Sequence, residues 1–125
     1  GLVGMQKVYG LTAVKFVSLS IGLTYIALDK GSINAGDGFS TDGQLVSGRY
    51  VALEDPQHIF GFQHVAPVVK RALLQKEGPA FSQTLDWVTS KLTTKAIQAM
   101  NAAVQLSHDD PAAVATAFLK ANGLS

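Results

Sequence analysis

Three residues of the types used in hydrolase triads occur in this chain: Ser40, Asp42 and His64. Ser40 does not lie in a G-x-S-x-G elbow, the strand-to-helix turn that exposes the nucleophile of α/β-hydrolases. A serine just before a short helix is explained more simply as a helix cap. Because a chain of this length contains such a trio by chance, the sequence gives little support for nucleophilic catalysis.

The acidic and imidazole side chains do not have metal-ligand spacing. Asp37 and Asp42 could offer oxygen atoms to calcium, but their spacing is not that of an EF-hand loop and no glutamate closes it. His58 and His64 have no third ligand at a typical zinc spacing, and the chain contains no cysteine. We therefore predict no metal, no cofactor and no catalytic residue.

Tyr25 is a stronger candidate for a binding role. It lies on a predicted helix from Ile21 to Lys30, on which Leu23, Ile26 and Ala27 share one face. If that face is the core, Tyr25 points elsewhere. A half-exposed tyrosine is the ordinary explanation. The functional alternative is an aromatic wall for a cation, because the face of a tyrosine ring attracts quaternary ammonium groups.

Composition places the chain among folded proteins with a modest charge. Of its 125 residues, 47% are hydrophobic and 15% are charged, and the net charge is +1. The basic residues form no cluster larger than Lys70-Arg71, which argues against nucleic acid as a partner. No apolar run reaches the roughly 20 residues that span a bilayer. The chain opens on what resembles the middle of a helix without a signal-peptide pattern, so we expect a piece of a longer protein.

The order of elements predicts an α/β fold, an open sheet flanked by helices, with a helical C-terminal half. Runs rich in β-branched and aromatic residues predict strands at Val14–Leu19, Ile33–Phe39, Arg49–Asp55 and Phe62–Lys70. Short helices lie between the strands, and helices alone follow. Pro79 suits a first helical position, and Thr93 or Thr94 and then Asp109 suit caps of the last two helices.

Five segments in order, GLTYIAL, GSINAGDGFSTDG, YVALEDP, VAPVVKRALL and DPAAVATAFLKANGL, resemble the C-terminal part of substrate-binding proteins of osmoprotectant ABC transporters. These proteins bind glycine betaine, carnitine and choline. The resemblance implies a type II periplasmic-binding fold, in which two α/β lobes close on the ligand. It also implies that residues 1–68 are an α/β segment of the second lobe, and that residues 69–125 are a helical segment that packs on the first lobe.

The resemblance carries over ligand-binding residues one at a time. Tyr25 matches the family's tyrosine in GLTY, one side of an aromatic cage around the trimethylammonium group, and Thr24 beside it is a further polar contact. Thr41 and Asp42 match the FSTDG loop that faces the cleft. Asp42 could equally serve a structural role by closing the turn into the next helix, and both interpretations stay open.

The sequence departs from the family pattern just before VAPVV, where many members carry another cage tyrosine. Gln63 stands at that place, with Phe62 before it and His64 after it. A glutamine forms hydrogen bonds but has no π face. Three explanations stay open: Phe62 substitutes for the tyrosine, the ligand is not a simple quaternary ammonium, or the cage walls come mostly from the other lobe.

The function implied by the resemblance is solute binding without chemical conversion, in the periplasm or at the cell surface. The implied partners are a small osmoprotectant and an ABC transporter permease, with membrane contact only through that permease or a lipid anchor outside this chain. Surface that would meet the other lobe could also drive self-association. The alternatives are a small hydrolase-like or metal-dependent enzyme and a non-binding interaction module.

Overall fold

The computed structural model describes residues 1–62 and 64–124, and these residues form helices joined by extended segments. Six α-helices and one 3-10 helix are present in this part of the chain. In chain order they are α1 (Leu2–Val8), α2 (Thr24–Asp29), the 3-10 helix (Gly43–Ser47), α3 (Arg71–Glu77), α4 (Pro79–Lys91), α5 (Thr94–Gln105) and α6 (Pro111–Ala121).

Local signals in the sequence set the ends of the C-terminal helices. Gly78 adopts a φ of 76°, which glycine tolerates because it has no Cβ, and Pro79 then begins α4 as predicted. The hydroxyl of Thr93 accepts a hydrogen bond from the backbone N–H of Ala96 and so caps α5. The carboxylate that caps α6 belongs to Asp110 rather than Asp109. The caps of α5 and α6 are therefore readable from sequence to within one residue, whereas the predicted cap Ser40 is wrong, because Asp42 precedes the 3-10 helix and no side chain caps it.

The prediction of an open α/β sheet is wrong for the described part of the chain, which contains no β-strand. The segments Val14–Leu19, Ile33–Phe39 and Arg49–Asp55 run without ladder partners, as do the described residues of Phe62–Lys70. A strand forms only when a neighbouring backbone satisfies its N–H and C=O groups, so strand-forming residues alone are not enough. Val51 and Leu53 illustrate the result, because they are 82% and 83% exposed.

The closest packing joins the 3-10 helix to α5. A Cβ atom added to Gly43 would lie 2.5 Å from the backbone nitrogen of Ala102 and 2.7 Å from its Cα. The two backbones therefore touch with no side chain between them. Helix α5 also packs against α6, and α3 against α4. Residues on both sides of position 68 thus contact one another, and the division into segments 1–68 and 69–125 stays a prediction.

A separate clamp fixes helix α1. The hydroxyl of Tyr9, which follows this helix, donates to Asp55 and accepts from the backbone N–H of Gln57. The other carboxylate oxygen of Asp55 accepts from the backbone N–H of Phe60. Gly4 on α1 faces the side chain of Ile59 in the same turn. Helix α1 is therefore held against the turn that follows Asp55.

Little of the apolar surface is buried. Within residues 1–62 and 64–124, the one buried hydrophobic residue is Ala27, which is still 8% exposed. The solvent-accessible surface is 9734 Å², whereas a compact monomer of 13.2 kDa exposes about 6,400 Å². An exposed apolar side chain contributes no hydrophobic stabilisation until another surface covers it. The self-association predicted from the sequence stays a prediction.

None of the described helices combines the length and the apolar character that crossing a membrane requires.

Gly43→Ala is expected to destabilise the packing of the 3-10 helix on α5. The new methyl group would overlap the backbone of Ala102, which cannot move aside as a flexible side chain can. We expect a loss of about 1–3 kcal/mol in the free energy of unfolding, measured by urea denaturation with circular dichroism. Gly61→Ala is the matched control, because a Cβ there meets nothing within 4 Å. Equal stability of the two variants would contradict the contact.

Candidate functional site

A hydrogen bond between Tyr25 and Asp42 lies at the centre of the site. Tyr25 is the second residue of α2, and Asp42 is the residue before the 3-10 helix. The Tyr25 hydroxyl donates to Oδ2 of Asp42 at 2.7 Å, and the backbone N–H of Phe39 donates to the same oxygen at 2.9 Å. One carboxylate therefore joins α2 to the loop that precedes the 3-10 helix.

Two glycines let this loop approach α2 closely. A Cβ added to Gly38 would lie 3.1 Å from Oδ2 of Asp42 and 3.3 Å from the Tyr25 hydroxyl. A Cβ added to Gly36 would lie 2.5 Å from the Cγ2 methyl of Thr24. A side chain at position 36 would overlap the Thr24 methyl group, and one at position 38 would crowd the Tyr25–Asp42 hydrogen bond. Gly36 and Gly38 thus allow the loop to pack closely on α2.

Helix α5 holds the same loop from the other side. The side-chain amide of Asn101 donates to the carbonyl of Thr41 at 2.8 Å, and that of Gln98 donates to the carbonyl of Ser40. Sequence reasoning missed both donors. No local signal could have found them, because they lie about 60 residues further along the chain. The loop is therefore fixed between α2 and α5.

A cleft of about 270 Å³ opens beside Tyr25. The ring of Tyr50 meets the ring of Tyr25 edge to face, with centroids 4.9 Å apart and an interplanar angle of 67°. Asp29 accepts hydrogen bonds from the Tyr50 hydroxyl and from Arg49, each at 2.7 Å. The cleft is lined by Tyr25, Ile26, Asp29, Gln44, Ser47, Arg49, Tyr50 and Leu106.

Asp29, Arg49 and Tyr50 were not predicted as site residues. A signal existed for Asp29, which lies four residues after Tyr25 and so one turn along the same face of a helix. The sequence predicts a strand over Arg49 and Tyr50, and that prediction gives no indication that both residues contact α2. The geometry thus adds a second aromatic ring and an ion pair to the predicted residues.

The environment keeps the phenol of Tyr25 neutral. Partial burial and the hydrogen bond to Asp42 both raise the pKa of Tyr25 well above its ordinary value near 10. The hydrogen bond to Asp29 likewise raises the pKa of Tyr50. Both hydroxyls therefore stay protonated, and remain donors to their carboxylates, to a higher pH than an unperturbed tyrosine does.

The comparison with family models finds one that covers almost the whole chain. Residues 1–121 match the substrate-binding domain of the ABC-type glycine betaine transport system. The chain belongs to this family. It is a family of binding proteins and not of enzymes, so the hydrolase and metal-enzyme alternatives are set aside. Substrate-binding proteins of ABC importers are typically extracytoplasmic.

The individual proteins that this chain resembles include two glycine betaine-binding proteins and a carnitine-binding protein. It is 32% identical over 126 residues to a glycine-betaine-binding protein of Pseudomonas aeruginosa, a match that covers 99% of this chain and 40% of the relative. It is 30% identical to the glycine betaine-binding protein YehZ of Escherichia coli K12, covering 98% and 42%. The carnitine transport binding protein OpuCC of Listeria monocytogenes is 26% identical, covering 98% and 39%. The chain thus spans about 40% of the length of these relatives.

Four of the residues predicted as ligand-binding lie together. Tyr25 and Asp42 are bonded directly, and Thr24 and Thr41 are their chain neighbours in the same contact region. Phe62 lies elsewhere, 82% exposed, with its ring 5.8 Å from that of His58. The remaining predicted residue, Gln63, is outside the described residues. The binding role of all six stays a prediction at this stage.

Chelating side chains do not converge in the described part of the chain. Within residues 1–62 and 64–124, no group of three or more histidine, cysteine, aspartate or glutamate residues could hold a metal ion.

Asn101→Ala is expected to loosen the loop that carries Asp42. The substitution removes the amide that donates to the Thr41 carbonyl, and we expect a loss of about 1 kcal/mol in the free energy of unfolding. We also expect faster hydrogen exchange of the Phe39 and Asp42 amides, measured by NMR. Gln105→Ala is the control, because this side chain lies on the same helix and is exposed. Unchanged exchange in Asn101→Ala would show that α5 does not hold the loop.

Proposed function

We propose that the cleft beside Tyr25 is part of the ligand site of an extracytoplasmic substrate-binding protein for an ABC importer. The proposed ligands are osmoprotectants with a quaternary ammonium group, such as glycine betaine, carnitine or choline, bound without chemical conversion. Membership of the family supports the ligand class. The observation that carries the proposal is the Tyr25 ring, which is fixed by Asp42 and lines a cleft next to a second tyrosine.

In the proposed mechanism, the cationic group of the ligand loses part of its hydration shell and contacts the face of an aromatic ring instead. A trimethylammonium group is a weakly hydrated cation, and an aromatic face attracts it within about 6 Å of the ring centroid. The Tyr50 ring packs edge to face against the Tyr25 ring and already carries a cation, because the Arg49 guanidinium lies over it, 5.5 Å from the ring centroid. We therefore propose the Tyr25 ring, which lines the cleft, as the aromatic wall for the ligand cation.

Arg49 is the proposed contact for a ligand carboxylate. Its guanidinium lines the cleft and uses one nitrogen, Nη2, for the hydrogen bond to Asp29. A guanidinium has five N–H donors, so others remain for an anionic group. Glycine betaine and carnitine carry a carboxylate and choline does not. We therefore propose that the site favours betaines over choline.

The other predicted residues complete the proposal. Thr24 and Thr41 flank the Tyr25–Asp42 pair, and we propose them as polar neighbours of the ligand. Phe62 is proposed for the far side of the ligand, and Gln63, which lies outside the described residues, is proposed as a further ligand contact. The 82% exposure of Phe62 makes its ring accessible to such a contact. Residues 1–68 and 69–125 are the proposed second-lobe and helical segments of the whole protein.

The proposed partners follow from the same class of protein. An ABC transporter permease would receive the loaded protein in the periplasm or at the cell surface, with any further membrane attachment outside this chain. Self-association through the exposed apolar surface is the proposed behaviour of the chain on its own.

Isothermal titration of the 125-residue chain with glycine betaine, carnitine, choline and ergothioneine tests the proposal. We expect binding of at least one betaine in the micromolar range and weaker binding of choline. Tyr25→Ala removes the ring, and its affinity is expected to fall at least about tenfold. Tyr25→Phe keeps the ring and is expected to bind better than Tyr25→Ala.

Tyr9→Ala is the matched control, because Tyr9 is also bonded to an aspartate but does not line the cleft. It is expected to bind as the unaltered chain does. The absence of heat with all four ligands would overturn the proposal and favour the non-binding interaction module. An equal loss of affinity in Tyr9→Ala and Tyr25→Ala would place the effect in folding and not in the cleft.

A further inference from the structure

We infer that Asp42 is a positioning residue that orients the Tyr25 ring and makes the cleft select cations over neutral groups of the same shape. The inference deepens the proposed function and rests on it. It assigns to Asp42 a role beyond closing a turn, and it places that role at the hydroxyl of Tyr25 and not in direct contact with the ligand.

The contacts of Asp42 hold the ring in one orientation. Oδ2 accepts from the Tyr25 hydroxyl and from the Phe39 amide, and Gly38 lies against both polar groups. A ring fixed at its hydroxyl as well as at its Cβ has few rotamers left. A wall that is ordered before the ligand arrives lowers the entropic cost of binding.

Asp42 also differs from the other carboxylate of the region in how its charge is balanced. Asp29 is paired with the guanidinium of Arg49. Asp42 is bonded to a phenol and a backbone amide, both of them neutral donors. The ion pairs in the described part of the chain are Arg49–Asp29 and Lys76–Glu77, so the charge of Asp42 is not compensated by an ion pair there.

An uncompensated carboxylate at the hydroxyl strengthens the attraction of the ring for a cation. Hydrogen bonds to an ionised acceptor are stronger than neutral ones, and bonded groups polarise one another in a low dielectric. The phenol is the donor, so electron density moves toward its ring. The negative face of the ring, which attracts cations, is thereby enhanced. A neutral ligand of equal shape gains nothing from this effect.

The position of Asp42 is itself supported from outside the site. Its loop is held by the amides of Gln98 and Asn101 on α5, and the next residue, Gly43, touches the α5 backbone. A carboxylate on a loop without such contacts would shift whenever the loop moved. The support from α5 makes Asp42 a fixed reference for the Tyr25 hydroxyl.

A pair of ligands separates charge from shape. Glycine betaine and tert-butylacetate have the same outline, and the first carries a quaternary nitrogen where the second carries a neutral carbon. We expect Asp42→Asn to weaken the binding of glycine betaine about tenfold and that of tert-butylacetate clearly less, because a less ordered wall affects both ligands and the lost charge affects only the cation. In the Tyr25→Phe background, Asp42→Asn is expected to have little further effect, because the phenol that transmits it is gone.

A readout without ligand tests the positioning directly. The NMR shift of the Tyr25 Cζ atom, in protein with isotope-labelled tyrosine, reports the hydrogen bond of its hydroxyl. Tyr25→Phe assigns the resonance by removing it, and Asp42→Asn is expected to shift it toward that of a solvated tyrosine. Asp55→Asn is the matched control, since it alters the Tyr9–Asp55 pair outside the cleft and is expected to leave the Tyr25 resonance and the ligand selectivity unchanged.

The outcomes distinguish this inference from the proposed function. If the unaltered chain prefers glycine betaine and Asp42→Asn changes neither the preference nor the Tyr25 resonance, the inference is overturned and the proposed function stands. If Asp42→Asn weakens both ligands equally, its role is structural and the inference is overturned as well. If the unaltered chain binds neither ligand, the result contradicts the proposed function and, with it, the inference that Asp42 makes the cleft select cations.

Discussion

Direct contact between the backbones of Gly43 and Ala102 determines where the site lies. At that point the 3-10 helix meets α5 with no side chain between them. The amides of Gln98 and Asn101 flank the contact and hold the preceding loop. Asp42 is therefore placed by α5, and Tyr25 is placed by Asp42. A residue late in the chain thus controls the geometry of a cleft whose lining is mostly early in the chain.

The parts of the fold that were predictable from the sequence are those set by neighbouring residues. Helix α4 begins at Pro79 because Gly78 can adopt a positive φ, and α5 begins after Thr93 because its hydroxyl reaches Ala96. The sheet was not predictable in the same way. Val51 and Leu53 have the side chains of strand residues, but a ladder needs a second backbone beside them. Strand propensity describes a surface that fits a sheet, and does not supply the sheet.

The candidate site also contains residues that were predictable from the sequence and residues that were not. Tyr25 and Asp42 were found because they lie in recognisable segments of the sequence, and the structure bonds them to each other. Tyr50 could not be assigned, since its edge-to-face contact with Tyr25 depends on how the chain returns after the 3-10 helix. Asn101 could not be assigned either, because its partner is the Thr41 carbonyl, and every residue has a carbonyl. A sequence therefore does not indicate which backbone carbonyl will accept a side-chain hydrogen bond.

The clamp between Tyr9 and Asp55 has a consequence for the chain between them. The two residues are 46 positions apart, and Tyr25, Asp42 and Tyr50 all lie within that interval. The hydrogen bond therefore closes a segment of the chain that contains every cleft-lining residue except Leu106. The entropic contribution to the free energy of closing such a loop rises only with the logarithm of its length, by about 0.6 kcal/mol for each doubling. The Tyr9–Asp55 hydrogen bond thus joins the two ends of this segment at a modest entropic cost, and it does so outside the cleft.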